Sequence, residues 1–289
     1  NDTTMFRMFE LASSFNPDSL NWDVRNVTNM NSMFAGASLF NPDTLGWDVS
    51  KVTNMGMMFN GASNFNQDLS NWTVSSVKNM VYMFAGASSF NTDISGWTVS
   101  NVTSMESMFQ LASSFNANIS GWDVSEVTNM DSMFDSATSF NQDLSGFSKG
   151  LPGWNVSGVT NMNSMFVGTT ALYDAYKCFI HKSFSTNSNW SNNDWSPLCV
   201  FIPLTKAELR DTLDYWIDHP DSALAAYGDI NTWNVSLITD MDSLFHGQTS
   251  FNDDINAWDV SNVTTMNSMF NGASSFNQDI SGSRWDVSL

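Results

Sequence analysis

The chain has 289 residues, 29 acidic against 10 basic side chains, and a net charge of −19. At about 150 residues per domain the length accommodates two domains. So acidic a chain repels nucleic acid and anionic membrane surfaces, which are bound through Lys and Arg. Hydrophobic residues make up 42% and charged residues only 13%, which excludes a charged, disordered tail. The apolar runs fall short of the roughly 18 residues a membrane-spanning helix needs, so no membrane insertion is expected. His and Cys carry much of catalytic and metal chemistry, and here there are three and two of them.

Asn1 is not a translation start, so a removed leader or a longer parent chain is expected. From Met5 onward one motif recurs. Met-Phe returns with Phe9, Phe34, Phe59, Phe84, Phe109 and Phe134 at a 25-residue step, then at Phe166, Phe245 (after Leu244) and Phe270. A second Phe column, Phe15 to Phe140 and then Phe251 and Phe276, is always followed by Asn. A Trp column runs from Trp22 to Trp285. The excess of Met, Trp and Phe is thus one motif repeated. In the unit 69–90, Trp72-Thr-Val74 alternates with the period of a short strand. Met80, Met83, Phe84 and Ala87 fall at i, i+3, i+4 and i+7, one face of a two-turn helix, with Gly86 to end it. Such a unit cannot bury its apolar side alone, so copies must stack. Parallel strand pairing about 4.8 Å apart would align the Met, Trp and Phe columns as core and the Asn after each Phe as a ladder.

The motif Trp-Asp-Val-Ser-x-Val-Thr-x-Met-x-x-Met-Phe-x-x-Ala-x-x-Phe-Asn-x-Asp, as in 122–143, resembles the BspA-type leucine-rich-repeat surface proteins, the DUF285-type repeats of mycoplasmas, algae and protists. The resemblance implies an α/β solenoid, a leucine-rich-repeat-like stack of a short parallel strand plus a short helix per repeat. It also implies an extracellular or cell-surface location. It implies no shared catalytic residues.

Two insertions break the period. Near 146–152 about seven extra residues bulge from one repeat, and a larger, Met-free insert covers 171–228. The expected organisation is a first array over 1–170, a disulfide-containing helical cap over 171–228, and a second array over 229–289. Within the cap, Thr205 and Glu208 form a capping box ahead of Leu209, Leu213, Trp216 and Ile217, a helix that stops before Pro220. Cys178 and Cys199 are expected to pair, as close cysteines of surface proteins do. With His181 and His219 they form an alternative zinc set, at spacings that match no standard site. His246 stands alone.

Two polar columns lie beside the core. One follows each Trp: Asp23, Asp48, Asp123, Asn155, Asn234, Asp259 and Asp286, with Thr73 and Thr98. The other is Asp18, Asp43, Asp68, Asp93, Asp143, Asp254 and Asp279. Side-chain capping of turns is the expected role, with calcium as the alternative for stacked carboxylates. Columns repeated in every unit argue against one glycosidase acid/base pair, and no enzyme is expected. Nine Asn-x-Ser/Thr sequons, at Asn1, Asn26, Asn71, Asn101, Asn118, Asn155, Asn189, Asn234 and Asn262, point to covalent N-linked glycans. No other cofactor is expected.

The ends match each other. The sequence opens in the Met-Phe half of a repeat and closes in its Trp half, so Trp285, Val287 and Leu289 of one copy would meet Asn1, Met5, Met8 and Phe9 of the next. A head-to-tail homopolymer is expected, since such contacts do not close on themselves, with a segment of one longer array as the alternative. A second function class is an adhesin that holds protein, or cell-wall or matrix glycans, on its flat face. Trp190, Trp195 and Tyr173 would be its aromatic candidates.

Overall fold

A computed structural model describes residues 3–42, 46–146, 152–190, 194–199 and 201–285. It divides into two compact units, Asn1–Trp195 and Ser196–Leu289. Asn1, Asp43, Asp286, Val287, Leu289 and most of the bulge near 146–152 lie outside the described residues.

The first unit stacks its 25-residue repeats coil upon coil, and the α/β solenoid expected from the sequence is not what forms. Among the described residues the repeats contain neither strand nor sheet, only isolated single-residue parallel bridges such as Asn29 to Asn54 and Asn54 to Asn79. Nor do they contain the two-turn helix. The backbone around Met80 shows why. The N–H groups of Met83, Ala85 and Ala87 close successive tight turns onto the carbonyls of Met80, Tyr82 and Phe84. Those of Met80, Tyr82, Phe84 and Gly86 point sideways, to Ser104, Glu106, Met108 and Gln110 of the next coil, at 2.7–3.3 Å. Half the donors that a helix would use internally therefore hold the neighbouring coil. A chain of such turns places residues 3 and 4 apart on one side as a helix does, so the apolar spacing cannot tell them apart.

The alternation at Trp72-Thr73-Val74 is real: Trp72 and Val74 are buried and Thr73 is exposed. No ladder joins these segments, however. Each bends through a turn, Trp72 N–H to Leu69 O and Val77 N–H to Val74 O. The coils are tied here by side chains instead: the indoles of Trp97, Trp122 and Trp154 donate to the carbonyls of Leu69, Ile94 and Ile119 at 3.0–3.2 Å.

The turn chain forces one left-handed residue at a fixed position of each coil. Arg7, Ser32, Met57, Tyr82, Ser107, Ser132 and Ser164 have φ between +51° and +57°. For residues with a side chain this costs roughly 1–2 kcal/mol each. The second left-handed position holds Gly36, Gly61 and Gly86 in succession; a Cβ on Gly86 would sit 3.5 Å from the Gly61 Cα.

Inside, the Met, Val, Phe and Ala columns are buried from Val24 to Phe166. The two Phe columns pair within each coil, Phe84 on Phe90 at 3.9 Å, and stack between coils, Phe84 on Phe59 at 5.6 Å and on Phe109 at 5.8 Å. The Asn after each Phe forms its own ladder: the Asn66, Asn91 and Asn116 N–H groups donate to the side-chain oxygens of Asn41, Asn66 and Asn91 at 2.7–3.0 Å.

After the last coil of this unit, helix α1 (Asp174–Phe184) buries Ala175, Phe179, Ile180 and Phe184. Trp190 and Trp195 close over Phe166 at 6.0 and 5.4 Å. In the second unit, α2 (Lys206–Asp218) starts at Thr205, whose hydroxyl accepts the Glu208 N–H, while the Glu208 carboxylate accepts the Leu204 N–H. Pro220 opens α3 (Pro220–Tyr227). Trp216 and Phe201 pack edge-on against Trp233, the first Trp of the coils that follow. Those coils repeat the lateral pattern, with Met241, Ser243, Phe245 and Gly247 donating to Thr265, Asn267, Met269 and Asn271.

Replacing Phe84 by Ala removes a ring packed within and between coils and is expected to cost about 3–5 kcal/mol. Thr73→Ala on the exposed side should stay within about 0.5 kcal/mol. Urea unfolding followed by tryptophan fluorescence measures both.

Candidate functional site

The stacking faces of the coils are the candidate site, with the polar columns that border them. At the first described coil the face is open. Met8 is 54% exposed, whereas Met33, one repeat on, is fully buried. Phe6 and Leu11 are exposed, and Met5, Phe9, Phe15 and Trp22 only partly buried. The carbonyls of Thr4, Phe6, Met8 and Glu10 occupy the positions that accept lateral bonds in later coils, yet accept none among the described residues. The last described coil shows the opposite set. There the N–H groups of Met266, Ser268, Phe270 and Gly272 have no partner among the described residues. Trp285 is buried and its indole donates to Ile255 O at 3.0 Å. One face thus offers acceptors and the other donors, in the same register.

The acidic column caps turns. Asp68, Asp93, Asp254 and Asp279 accept the N–H of the residue two on, at 2.8–2.9 Å. Asp143 is buried and does the same for Ser145, whose hydroxyl it also accepts. Asp18 is exposed and caps no turn among the described residues. The column after Trp behaves alike, with Asp48, Asp123, Asn155, Asn234 and Asp259 each capping a turn at 3.1 Å. Among the described residues no three His, Cys, Asp or Glu side chains converge on a point. Both cysteines are disulfide-bonded, which removes the thiolates that the zinc alternative requires.

A hydrogen bond donated to a carboxylate favours its ionised form. Ser50, Ser70, Ser95, Ser125 and Ser281 keep Asp48, Asp68, Asp93, Asp123 and Asp279 below the ordinary carboxylate value. The Arg25 guanidinium, hydrogen-bonded to Asp23, brings that carboxyl from 3.8 to about 2.

Of the sequons, Asn26, Asn71, Asn101, Asn118, Asn155 and Asn189 are exposed, and Asn234 and Asn262 are half-buried. The amide nitrogens of Asn101, Asn189 and Asn262 donate to backbone carbonyls. Those of Asn71, Asn118 and Asn155 do not donate among the described residues. The aromatic candidates of the cap serve packing first. Trp190 is buried and donates to His181 Nδ1, Trp195 is half-buried against Phe166, and Tyr173 is exposed beside Tyr176.

Asn187 was invisible to sequence reasoning. Its buried side-chain amide donates to Val156 O at 2.7 Å and Val159 O at 2.8 Å, closing the last coil of the first unit. It breaks no composition rule and belongs to no column, so nothing in the sequence signals it.

Stacked coils of this kind define a repeat protein. Residues 3–110, 92–193 and 220–289 match the family described as "Mycoplasma protein of unknown function, DUF285", and the chain belongs to that family. No curated protein matches it. No helix among the described residues is long and apolar enough to cross a membrane.

Because Asp23, Asp48, Asp68, Asp93, Asp123 and Asp279 titrate lower folded than unfolded, their contribution is complete above the unfolded value of about 4 and is lost as pH falls towards 2. The thermal midpoint should therefore drop across that window in pH-dependent calorimetry. Asn187→Ala should cost about 1–3 kcal/mol by leaving the Val156 carbonyl unmet, while Val159 O keeps the Asn189 amide.

Proposed function

We propose that the protein is an extracellular structural glycoprotein whose coils stack head-to-tail into a surface filament. The observation that carries this reading is the self-complementarity of the coil. Where one coil follows another within an array, the turn chain of the first gives four backbone donors to its successor, so like coils add to like. A further coil fits the open acceptors of Thr4, Phe6, Met8 and Glu10, whether an adjoining stretch of the same chain or a second copy supplies it. Contacts of this head-to-tail type propagate into open fibres rather than closed rings.

Three features support a place outside the cell and a non-catalytic role. The disulfide suits an oxidising compartment. Exposed sequons on several coils suit a hydrated glycan coat, with Asn71, Asn118 and Asn155 the least encumbered. Asp68, Asp93 and Asp123, which could serve as acid or base, each cap a turn of their own coil.

Electron microscopy and sedimentation of the protein at rising concentration test the reading. Filaments or concentration-dependent head-to-tail oligomers are expected. Met8→Glu, on the open face, should abolish them while leaving the unfolding midpoint unchanged. Monodisperse monomers at high concentration overturn the proposal. Glycopeptide mapping of protein secreted from a glycosylating host should find glycans at Asn71, Asn118 and Asn155.

A further inference from the structure

The sequence Phe-Asn-Gly-Ala-Ser occurs twice, with Asn60-Gly61 and Asn271-Gly272 at the same register of the repeat. Locally the two backbones correspond. Gly61 and Gly272 are both left-handed, with φ of +68° and +81°. The Asn60 N–H donates to Met57 O and the Asn271 N–H to Ser268 O. Their carbonyls both accept a glycine N–H from the preceding coil, Gly36 at 2.6 Å and Gly247 at 2.8 Å.

They differ in one bond and in burial. The Gly61 N–H donates to Ala85 O at 2.7 Å, and Asn60 is half-buried. The Gly272 N–H has no partner among the described residues, and Asn271 and Gly272 are both exposed.

That nitrogen is the nucleophile of a known class of self-modification. Once its proton passes to water or hydroxide, the glycine nitrogen attacks the side-chain amide carbon of the preceding asparagine. A new C–N bond forms, the bond to Nδ2 breaks, and ammonia leaves with the returning proton. Water then opens the cyclic imide at either carbonyl and yields aspartate or isoaspartate. Glycine favours the closure because no Cβ obstructs it and its backbone turns freely.

The geometry points to Asn271 as a self-modifying site of the folded protein, with Asn60, in the same local sequence, held intact by the Gly61–Ala85 hydrogen bond. The product adds a negative charge to the donor face of the last described coil. As isoaspartate it also lengthens the backbone by one methylene, which spoils the 25-residue register there. Resting on the stacking reading above, a coil docked on this face, whether an adjoining stretch of the same chain or a second copy supplies it, takes the Gly272 N–H as Ala85 takes that of Gly61. The modification then marks faces left uncovered, and stacking halts it.

Peptide mapping by mass spectrometry, with isoaspartate assayed, follows both asparagines during incubation at mildly alkaline pH. In the folded, unassembled protein, Asn271 should convert on the order of tenfold faster than Asn60, since freeing the Gly61 N–H first requires breaking its bond and opening the coil. In urea the two rates should converge. Gly272→Ser should slow conversion at Asn271; Ser136 already occupies that register with a φ of +60°, so the variant keeps the fold. Equal rates in the folded protein, or faster loss of Asn60, overturn the proposal. Protection of Asn271 in assembled material is expected. If assemblies form and Asn271 still converts at the monomer rate, the link to stacking fails while the filament reading stands. If no assemblies form, the filament reading fails, and the comparison of the two asparagines still decides the modification site.

Discussion

Everything in the arrays depends on how each Met-x-x-Met-Phe segment divides its backbone donors. Three close turns within the coil and four reach the next coil. A helix would satisfy the same groups internally and leave nothing to bind a neighbour. A strand would send its donors to neighbours on both sides and would need a flat, extended chain. The turn chain does neither, and its geometry then dictates the rest. Two residues in each coil must be left-handed, and the first of these positions holds Arg7, Met57, Tyr82 or Ser at φ near +55°. The small Gly column lets backbones approach at the second left-handed position. The coil-to-coil separation places the aromatic rings in offset stacks, the arrangement their quadrupoles prefer.

Lateral bonding also creates the problem of ends. At the end of the first unit side chains cover part of the last coil, with Asn187 meeting two carbonyls and Trp190 and Trp195 packing over Phe166. In the second, α2 and α3 lay Trp216 and Tyr227 against Trp233 before the coils begin. Both devices lay aromatic side chains, rather than a further coil, against the core columns. At the first described coil the Met8 side chain is exposed and the carbonyls of Thr4, Phe6, Met8 and Glu10 accept no lateral bond among the described residues.

The strong negative charge has a local origin. Carboxylates such as Asp68, Asp123 and Asp259 cap turns by accepting backbone N–H groups in place of a backbone carbonyl. Ionisation is useful there because a carboxylate accepts such bonds more strongly than a neutral group. Turn-capping charge is thus distributed along the coils.

The repeat, its 25-residue length, the identity of the core columns, the Asn ladder and the capping box at Thr205 were all legible in the sequence. Each depends on residue identity at fixed spacing, and spacing is what a chain displays. The secondary structure of the repeat was not legible. Apolar residues at i, i+3, i+4 and i+7 fit a helix and a chain of turns equally, and Trp-x-Val alternation fits an extended segment whether or not it pairs. Only the neighbouring coil decides between them, because it supplies the carbonyls at Ser104, Glu106, Met108 and Gln110 that draw the donors of Met80, Tyr82, Phe84 and Gly86 outward. Asn187 and the contrast between Gly61 and Gly272 follow the same rule. What a residue can bond to is written in its side chain, and what it does bond to depends on which backbone the stack places beside it.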